Sequence, residues 1–362
     1  MKVVFITNIP APYREKVYEL VAVNEDIDFE VYYCAKLESN RQWKFREGVY
    51  KRKYLKSQRL SFLGRDFYFF SNVWSRLTAK NPDVVIVAGF SLPMIFSYVW
   101  ALFNRKKIVS FTDAHIRFES RLTFFHRFLR KFFYLRSAAC VGASKKSLEL
   151  FGSYGVVPDR LFQSHLCANN EMYYLASKGG EDRNYDVILC GRISKEKMFY
   201  FSAAVIEIMH SIKRDLKVLV VGDGPEREQF IAHLSSLKVD YEYAGFVSQE
   251  ALPSLYSDSK VFLFPSRNDA WGVVANESCA AGTPVLSCEA VGAAGELLQD
   301  SVNARILPLD ASLWARNAIE LIDNPQLWNV YSESATRLVA EYNYENAALG
   351  LVSAIRYAYQ KL

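Results

Sequence analysis

Arg192 and Lys197 stand close together in the run Gly191-Arg192-Ile193-Ser194-Lys195-Glu196-Lys197. A planar guanidinium fork beside a compact ammonium is a pair of groups suited to phosphate. The run falls where an apolar stretch, 186–190, ends and helical periodicity, from about 198, begins. Cations at a strand's carboxyl end beside a helix N-terminus make an anion site. The plain alternative is a solvated basic loop with Arg192 paired to a carboxylate. A second constellation is Gly222-Asp223-Gly224-Pro225, again between a strand and a helix. Its glycines permit a tight turn and close backbone approach to a ligand. It lacks the third glycine of the dinucleotide fingerprint, so a nicotinamide dehydrogenase is disfavoured. A turn that touches no ligand is the plainer reading.

A third constellation runs from Phe264 through Ser266, Asp269, Trp271, Gly272, Val273 and Glu277 to Gly282-Thr283-Pro284. A strand ends at Pro265, a loop carries Asp269, and a helix ends near Gly282 before the next strand. Asp269 in the loop and Glu277 in the helix place one carboxylate at each end of a polyhydroxyl ligand, since carboxylates accept from sugar and ribose hydroxyls. The first N–H groups of the helix are free for phosphate. An acidic residue complementing the helix dipole, with Glu277 in a surface pair, is the structural alternative.

The elements that must position these groups follow from hydropathy patterning. Apolar runs at 2–7, 29–34, 83–88, 107–112 and 138–142 predict strands, as do 186–190, 216–221, 241–244, 260–264, 284–287 and 304–307. Helical periodicity fills the gaps, which predicts parallel sheets with helices on both faces. A polar segment around 176–184 separates the two series. The expected organisation is an N-terminal Rossmann-like domain over 1–175, a linker over 176–184 and a second Rossmann-like domain over 185–342. A helix over 343–362 is expected to pack back on the first domain. In such sheets ligands bind at the carboxyl ends of strands, so the cleft between two facing domains is the expected site.

The 362 residues are 51% hydrophobic and 23% charged, with a mean hydropathy of −0.03. Disordered chains, collagen-like repeats and polytopic membrane proteins are excluded. The six cysteines form no C-x-x-C pair and read as buried free thiols of a reducing compartment. Residues 84–103 carry no charge and precede Arg105-Lys106-Lys107, as a membrane span would. Gly89 and Pro93 break the run, so a strand, a turn and a buried helix from about Leu92 are expected instead. Asp26-Ile27-Asp28 mimics a metal-binding pair but precedes a strand rather than ending one, and no metal site is expected.

Residues 186–310 resemble the C-terminal domain of family-4 GT-B fold glycosyltransferases. The resemblance rests on Gly191-Arg192-x4-Lys197, Gly222-Asp-Gly-Pro225, Gly245-Phe-Val, Pro265-Ser266, the Asp269-to-Glu277 spacing, Ala281-Gly282-Thr-Pro284 and Glu296, in that order. It implies an α/β GT-B architecture of two doubly wound domains. It also implies transfer of a sugar from a UDP- or GDP-linked donor with retention of configuration and without a metal or other cofactor. Arg192 and Lys197 would bind the donor diphosphate, and Glu277 the ribose. Asp269, with backbone N–H groups around Trp271, Gly272 and Val273, would hold the sugar; Ser266, Gly222 and Gly224 complete the expected donor contacts. Asp269 stands where the family has Glu. The loop after the first strand lacks the family's Gly-Gly pair and places Tyr13 and Arg14 there instead, with Arg14 expected to meet an anionic group. His115 or Asp113, after the 107–112 strand, is the expected catalytic or sugar-contacting group.

Charge is unevenly split. Residues 1–180 hold 28 Lys and Arg against 15 Asp and Glu, and the remainder hold 16 against 24. Basic residues crowd 41–65, including Arg41, Lys44, Arg46, Lys51, Arg52, Lys53, Arg59 and Arg65. Residues 117–136 interleave cations with Phe124, Phe125, Phe128, Phe132 and Phe133. Basic and aromatic residues together suit an anionic membrane face, and no nucleic-acid motif accompanies them. The plain alternative is a solvated basic face with the phenylalanines in the core. The sequence therefore predicts a glycosyltransferase of bacterial surface polysaccharide or lipopolysaccharide synthesis, cytoplasmic and peripheral on the inner membrane face, with a glycan or lipid-linked acceptor. The competing readings are a nucleotide-sugar epimerase of the same fold and a catalytically silent homologue that binds a membrane or a partner.

Overall fold

The structure is a computed structural model that describes residues 1–37, 47–62, 65–69, 72–119 and 122–361. Arg41, Lys44, Arg46 and Arg121 of the basic stretches lie outside the described residues, as do the side chains of Arg59 and Arg65. The chain divides into two compact units, Met1–Leu166 with Tyr344–Leu362, and Cys167–Asn343.

The first unit holds a seven-stranded, wholly parallel sheet. Its strands are β1 (Lys2–Thr7), β2 (Asp28–Tyr33), β3 (Lys51–Tyr54), β6 (Val84–Val87), β7 (Lys107–Thr112), β8 (Ala139–Gly142) and β9 (Leu161–Gln163), with β4 (Gln58–Phe62) and β5 (Arg65–Phe69) forming a separate antiparallel hairpin. The spatial order is β3-β2-β1-β6-β7-β8-β9. The second unit holds β10 (Tyr185–Cys190), β11 (Lys217–Val221), β12 (Asp240–Gly245), β13 (Ser259–Phe264), β14 (Val285–Ser287) and β15 (Ala304–Ile306) in the order β12-β11-β10-β13-β14-β15. Central strands such as Val-Val-Ile-Val of β6 are apolar at every position because helices cover both faces. Strand order reverses between β1 and β6 in one unit and between β10 and β13 in the other. Those are the switch points where doubly wound sheets open a crevice.

Four strands escape the sequence reading, β3, β4, β5 and β9, and β3 and β9 are the two edges of the first sheet. β3 reads Lys-Arg-Lys-Tyr and has no apolar pattern. Lys51 and Lys53 pair with Asp28 and Glu30 of the neighbouring β2 at 2.6 and 2.7 Å. Arg52 reaches Glu15 at 3.0 Å. Much of the basic stretch is thus neutralised within the first unit. Asp28 also meets Lys80, and these two lysines hold its carboxyl down at about 2. Asp26 pairs with Arg356, so the Asp-Ile-Asp motif is a set of ion pairs.

The polar segment at 176–184 is built into the second unit. Arg183 is buried and donates to Ser259 O at 2.8 Å, Ala281 O at 2.8 Å and Thr283 Oγ1 at 2.6 Å. Burial lowers its pKa to about 10. The helix Asn170–Ala176 lies in the same unit, with Asn170 Nδ2 donating to Val339 O at 3.0 Å. The expected buried helix is also different: Leu92–Phe103 buries Met94, Tyr98 and Trp100 but leaves Leu92, Phe96, Val99 and Phe103 exposed. Two apolar faces are indistinguishable by composition alone. Among the described residues no helix is long and apolar enough to cross a membrane. All six cysteines are free, and five are buried.

The helix Tyr344–Gln360 packs on β8, β9 and the helix Pro12–Ala22. Gly350 allows the approach, since a Cβ there would stand 1.7 Å from Gln163 O. Gly350→Ala is expected to cost about 1–3 kcal/mol in urea unfolding, as overpacking does. Truncating the neighbouring exposed Leu349 is expected to change stability by less than about 0.5 kcal/mol. Equal stability of the two variants would show that the helix does not lie this close to β9.

Candidate functional site

In the second unit, the loops after β10, β11 and β13 meet at the switch point. Gly191 N donates to Val221 O at 3.0 Å, Ile193 N to Asp223 O at 3.0 Å and Glu226 N to Ile193 O at 3.2 Å. This crossing explains both glycines of the second constellation. A Cβ on Gly222 would stand 1.9 Å from Gly191 O, and one on Gly224 would stand 2.2 Å from Ile193 O. The space expected to admit a ligand is filled at these two positions by the Gly191–Ile193 backbone. Gly222 and Gly224 act by holding that loop in place.

The same loop is pinned from the β13 side. Ser266 Oγ and Arg267 N donate to Glu196 O at 3.1 and 2.9 Å. Ser266 is fully buried, so its hydroxyl belongs to this anchor rather than to a ligand surface. Lys197 Nζ forms an ion pair with Asp269 Oδ2. Asp269 Oδ1 accepts from Trp271 N at 3.3 Å, and its carbonyl accepts from Gly292 N at 3.0 Å. Asp269 thus fixes the Lys197 ammonium and the turn before the next helix together. Arg192 is exposed and makes no hydrogen bond or ion pair among the described residues. The two cations expected to act together are therefore held differently, Lys197 by a carboxylate and Arg192 only by its backbone.

The Trp271 backbone N–H, expected to meet a sugar, donates to Asp269 Oδ1, and its side chain turns inward. Its indole is fully buried, donates to Asn276 Oδ1 at 2.7 Å and lies 5.4 Å from the Tyr342 ring. Gly272 has φ +93°, and a Cβ there would stand 2.6 Å from the Phe264 ring. That conformation opens the helix Val273–Ala280, whose N-terminus carries no side-chain cap. Its first N–H groups are left for an incoming anion.

Glu277 sits in the interior rather than in a surface pair, 6% exposed. Tyr256 OH donates to its Oε2 at 3.2 Å. Burial raises its pKa to about 7, against the opposing bonds from Tyr256 and Tyr173. The thiol of Cys190, at the end of β10, is pushed up to about 12 by burial, with Glu277 adding to the shift. Neither tyrosine carried a signal in the sequence; each becomes a partner of Glu277 only through the fold.

In the first unit, a cavity of about 210 Å³ lies at the β1/β6 switch point, lined among others by Asn8, Tyr13, Arg14, Gly89, Thr112 and Asp113. The helix Pro12–Ala22 starts there with no capping side chain. Arg14 is buried, its guanidinium 4.8 Å from the Phe111 ring centre. It donates to Ser164 O at 2.9 Å, Ser164 Oγ at 3.1 Å and His165 O at 3.3 Å. Much of its donor capacity therefore ties this helix to the segment after β9, which limits the anion contact expected of it. Asp113 is exposed and lines the cavity. His115 is buried against the Phe118 ring at 4.6 Å and is not among the lining residues. The structure thus brings Asp113, Tyr13 and Arg14 together and leaves His115 behind them. No group of three or more His, Cys, Asp or Glu side chains is arranged for a metal ion among the described residues.

Two doubly wound parallel units with loop sites at their switch points define the GT-B fold. The crystal structure of Anabaena Alr3699/HepE in complex with UDP matches 98% of this chain and 100% of its own at a TM-score of 0.77 and 14% identity. Residues 176–338 match the family described as Glycosyl transferases group 1, so the chain carries a glycosyl transferases group 1 domain. The chain is 28% identical over 180 residues to the alpha-D-kanosaminyltransferase of Streptomyces kanamyceticus, which takes in 49% of this chain and 46% of that relative. It is 26% identical over 186 residues to the D-inositol 3-phosphate glycosyltransferase of Salinispora arenicola, covering 48% and 41%. The chain thus spans about half the length of the curated relatives it matches.

The raised carboxyl of Glu277 fixes a sign for the pH dependence of folding. The folded state retains a proton on it between the unfolded value near 4.5 and the folded value near 7. Its stabilising contribution is full below that window and is lost as pH rises through it, at about 1.4 kcal/mol per pH unit. Glu277→Gln is expected to flatten the stability profile between pH 5 and 7, measured by urea unfolding at successive pH values. An unchanged slope would show that Glu277 is already ionised at pH 5.

Proposed function

We propose that the chain transfers a sugar from a UDP- or GDP-linked donor to a glycan or lipid-linked acceptor. The reaction retains configuration, and neither a metal nor another cofactor takes part. The observation that carries this reading is the convergence of Arg192, Lys197 and Glu277 on the β10/β13 switch point, beside the uncapped helix at Val273. Retention and metal independence rest on the family resemblance.

The geometry gives each group a task. Negative charge accumulates on the departing diphosphate as the glycosidic bond breaks. Fixed cations lower the barrier there because they interact more strongly as that charge develops. Lys197 is held in place by Asp269 before any donor arrives. Arg192 supplies a second, unneutralised cation. Glu277 accepts from donor hydroxyls, and the N–H groups at Gly272 and Val273 receive donor oxygens. Asp113 in the first-unit cavity is better placed than His115 to meet an acceptor hydroxyl. The basic first half supports a role in bacterial surface polysaccharide or lipopolysaccharide synthesis at the inner membrane face. One observation favours a silent homologue instead: Asp269, which stands where the family has a sugar-binding Glu, is committed to Lys197 and to its own turn.

Thermal shift and turnover with UDP-, GDP- and ADP-sugars test this. One donor is expected to stabilise the protein by about 3 kcal/mol at a hundredfold excess over its Kd. Arg192→Ala with Lys197→Ala is expected to abolish that shift. Each single variant is expected to lower kcat/KM by about 10²–10³-fold, the usual cost of a fixed electrostatic contact. A shift without turnover, with acceptor glycans supplied, would establish the silent homologue. Isomerisation of the donor would establish an epimerase.

A further inference from the structure

We infer that one helical face of the first unit docks on an anionic lipid bilayer. Three helices make the face: Val73–Lys80, Leu92–Phe103 and Phe124–Arg136. They are neighbours in the fold. Trp100 Nε1 donates to Thr78 Oγ1 at 3.0 Å, and Tyr98 stacks on Phe133 at 4.4 Å. Both contacts use the inward sides of the helices and leave large residues on the outward sides exposed.

The outward side of the central helix is a stripe. Leu92, Phe96, Val99 and Phe103 recur at helical spacing and are all exposed, Phe103 at 80%. Trp74, also exposed, lies 6.4 Å from the Phe103 ring. The third helix adds Phe124 at 84%, with Phe125 and Phe128. Its other phenylalanines behave differently: Phe133 is core, and Phe132 packs against that core. A solvated helix with its phenylalanines inside, the plainer expectation from the sequence, therefore holds for only two of its five. Single exposed apolar residues need no explanation, but large apolar side chains grouped on neighbouring helices mark an interaction surface.

Charge selects the occupant. The three helices carry six Lys and Arg and no Asp or Glu. Lys80 and Arg130 are spent on Asp28 and Glu119. Arg127, Lys131 and Arg136 stay exposed among the exposed aromatics, and Arg105 follows the central stripe directly. Arg136 lies 3.7 Å over the Phe132 ring, its stem along apolar surface and its charge outward. Aromatic rings for the acyl boundary and cations for the headgroups are what an interfacial helix presents. Three neighbouring helices that carry no carboxylate fit a surface of many anionic headgroups. The inference names the surface behind the membrane-face part of the proposed function. Its test uses no sugar donor, so failure of lipid binding and failure of transfer are read separately.

The test is flotation of the full chain with vesicles of phosphatidylcholine alone and of phosphatidylcholine with 30% (about a third) phosphatidylglycerol. Binding is expected only to the anionic vesicles and is expected to weaken at high salt. Phe103→Ser with Phe124→Ser and Phe128→Ser is expected to lower partitioning at least about tenfold, with the melting temperature unchanged because all three side chains face solvent. Arg127→Glu with Lys131→Glu is expected to remove the preference for anionic lipid. Absence of wild-type binding at low salt would overturn the inference. So would binding that survives both sets of substitutions, or a concentration-dependent dimer dissolved by the serine variants, which would assign the face to a second copy of the chain.

Discussion

The reversal of strand order at β10/β13 is the constraint on which the candidate donor site depends. Connections from these adjacent strands leave in opposite directions, so the loops beyond their carboxyl ends separate and leave room between them. That room is useful only if the loops are fixed. Here the fixing is done by backbone contact. The Gly191–Ile193 segment crosses Gly222–Gly224 so closely that neither glycine admits a Cβ. Ser266 and Arg267 hold the next residues from the β13 side. Arg192 and Lys197 therefore project from a loop braced on two sides, which removes much of the ordering cost that a flexible basic loop would pay on binding an anion.

Electrostatics within the site are graded rather than uniform. Lys197 has its counterion in Asp269, Arg192 has none among the described residues, and Glu277 is buried with its proton held up to about neutral pH. A lone cation near the surface costs little, because water solvates it. A buried carboxylate costs much more, and the tyrosine hydroxyl on Glu277 offsets only part of that. The arrangement places the least neutralised charge where solvent reaches and the most strained acid where it does not. An arriving diphosphate would complete what Arg192 lacks, and donor hydroxyls would supply bonds that Glu277 now takes from Tyr256.

Much of this was legible in the sequence where local pattern and tertiary outcome agree. Buried parallel strands announce themselves as apolar runs, so eleven strands were anticipated within a residue or two, and with them the doubly wound class. The glycine, cation and carboxylate positions at strand ends followed. What was not legible depends on partners far along the chain. β3 reads as a basic loop because its lysines are matched by acids on β2 rather than by its own pattern. The segment at 176–184 reads as a linker because Arg183 looks solvated until the carbonyls of 259 and 281 surround it. The Ser266 hydroxyl sits in the right loop yet faces inward, and residue type does not encode that direction.

The charge split between the halves carries the same lesson to the surface. A net basic first half suggests a broad positive field, yet the fold neutralises a good part of it internally. Lys51, Arg52, Lys53 and Lys80 are set against Asp28, Glu15 and Glu30 inside one sheet and its flanking helices. Ion pairs of that kind set register and contribute little to a distant partner. Arg127, Lys131 and Arg136, with no carboxylate partner among the described residues, lie on a helix that itself carries no carboxylate and exposes Phe124, Phe125 and Phe128. A surface that excludes carboxylates while retaining exposed phenylalanine has forgone both solubility and neutralisation. Such a surface is costly to keep in water and favourable against headgroups and acyl chains, which is the balance the proposed bilayer docking relies on.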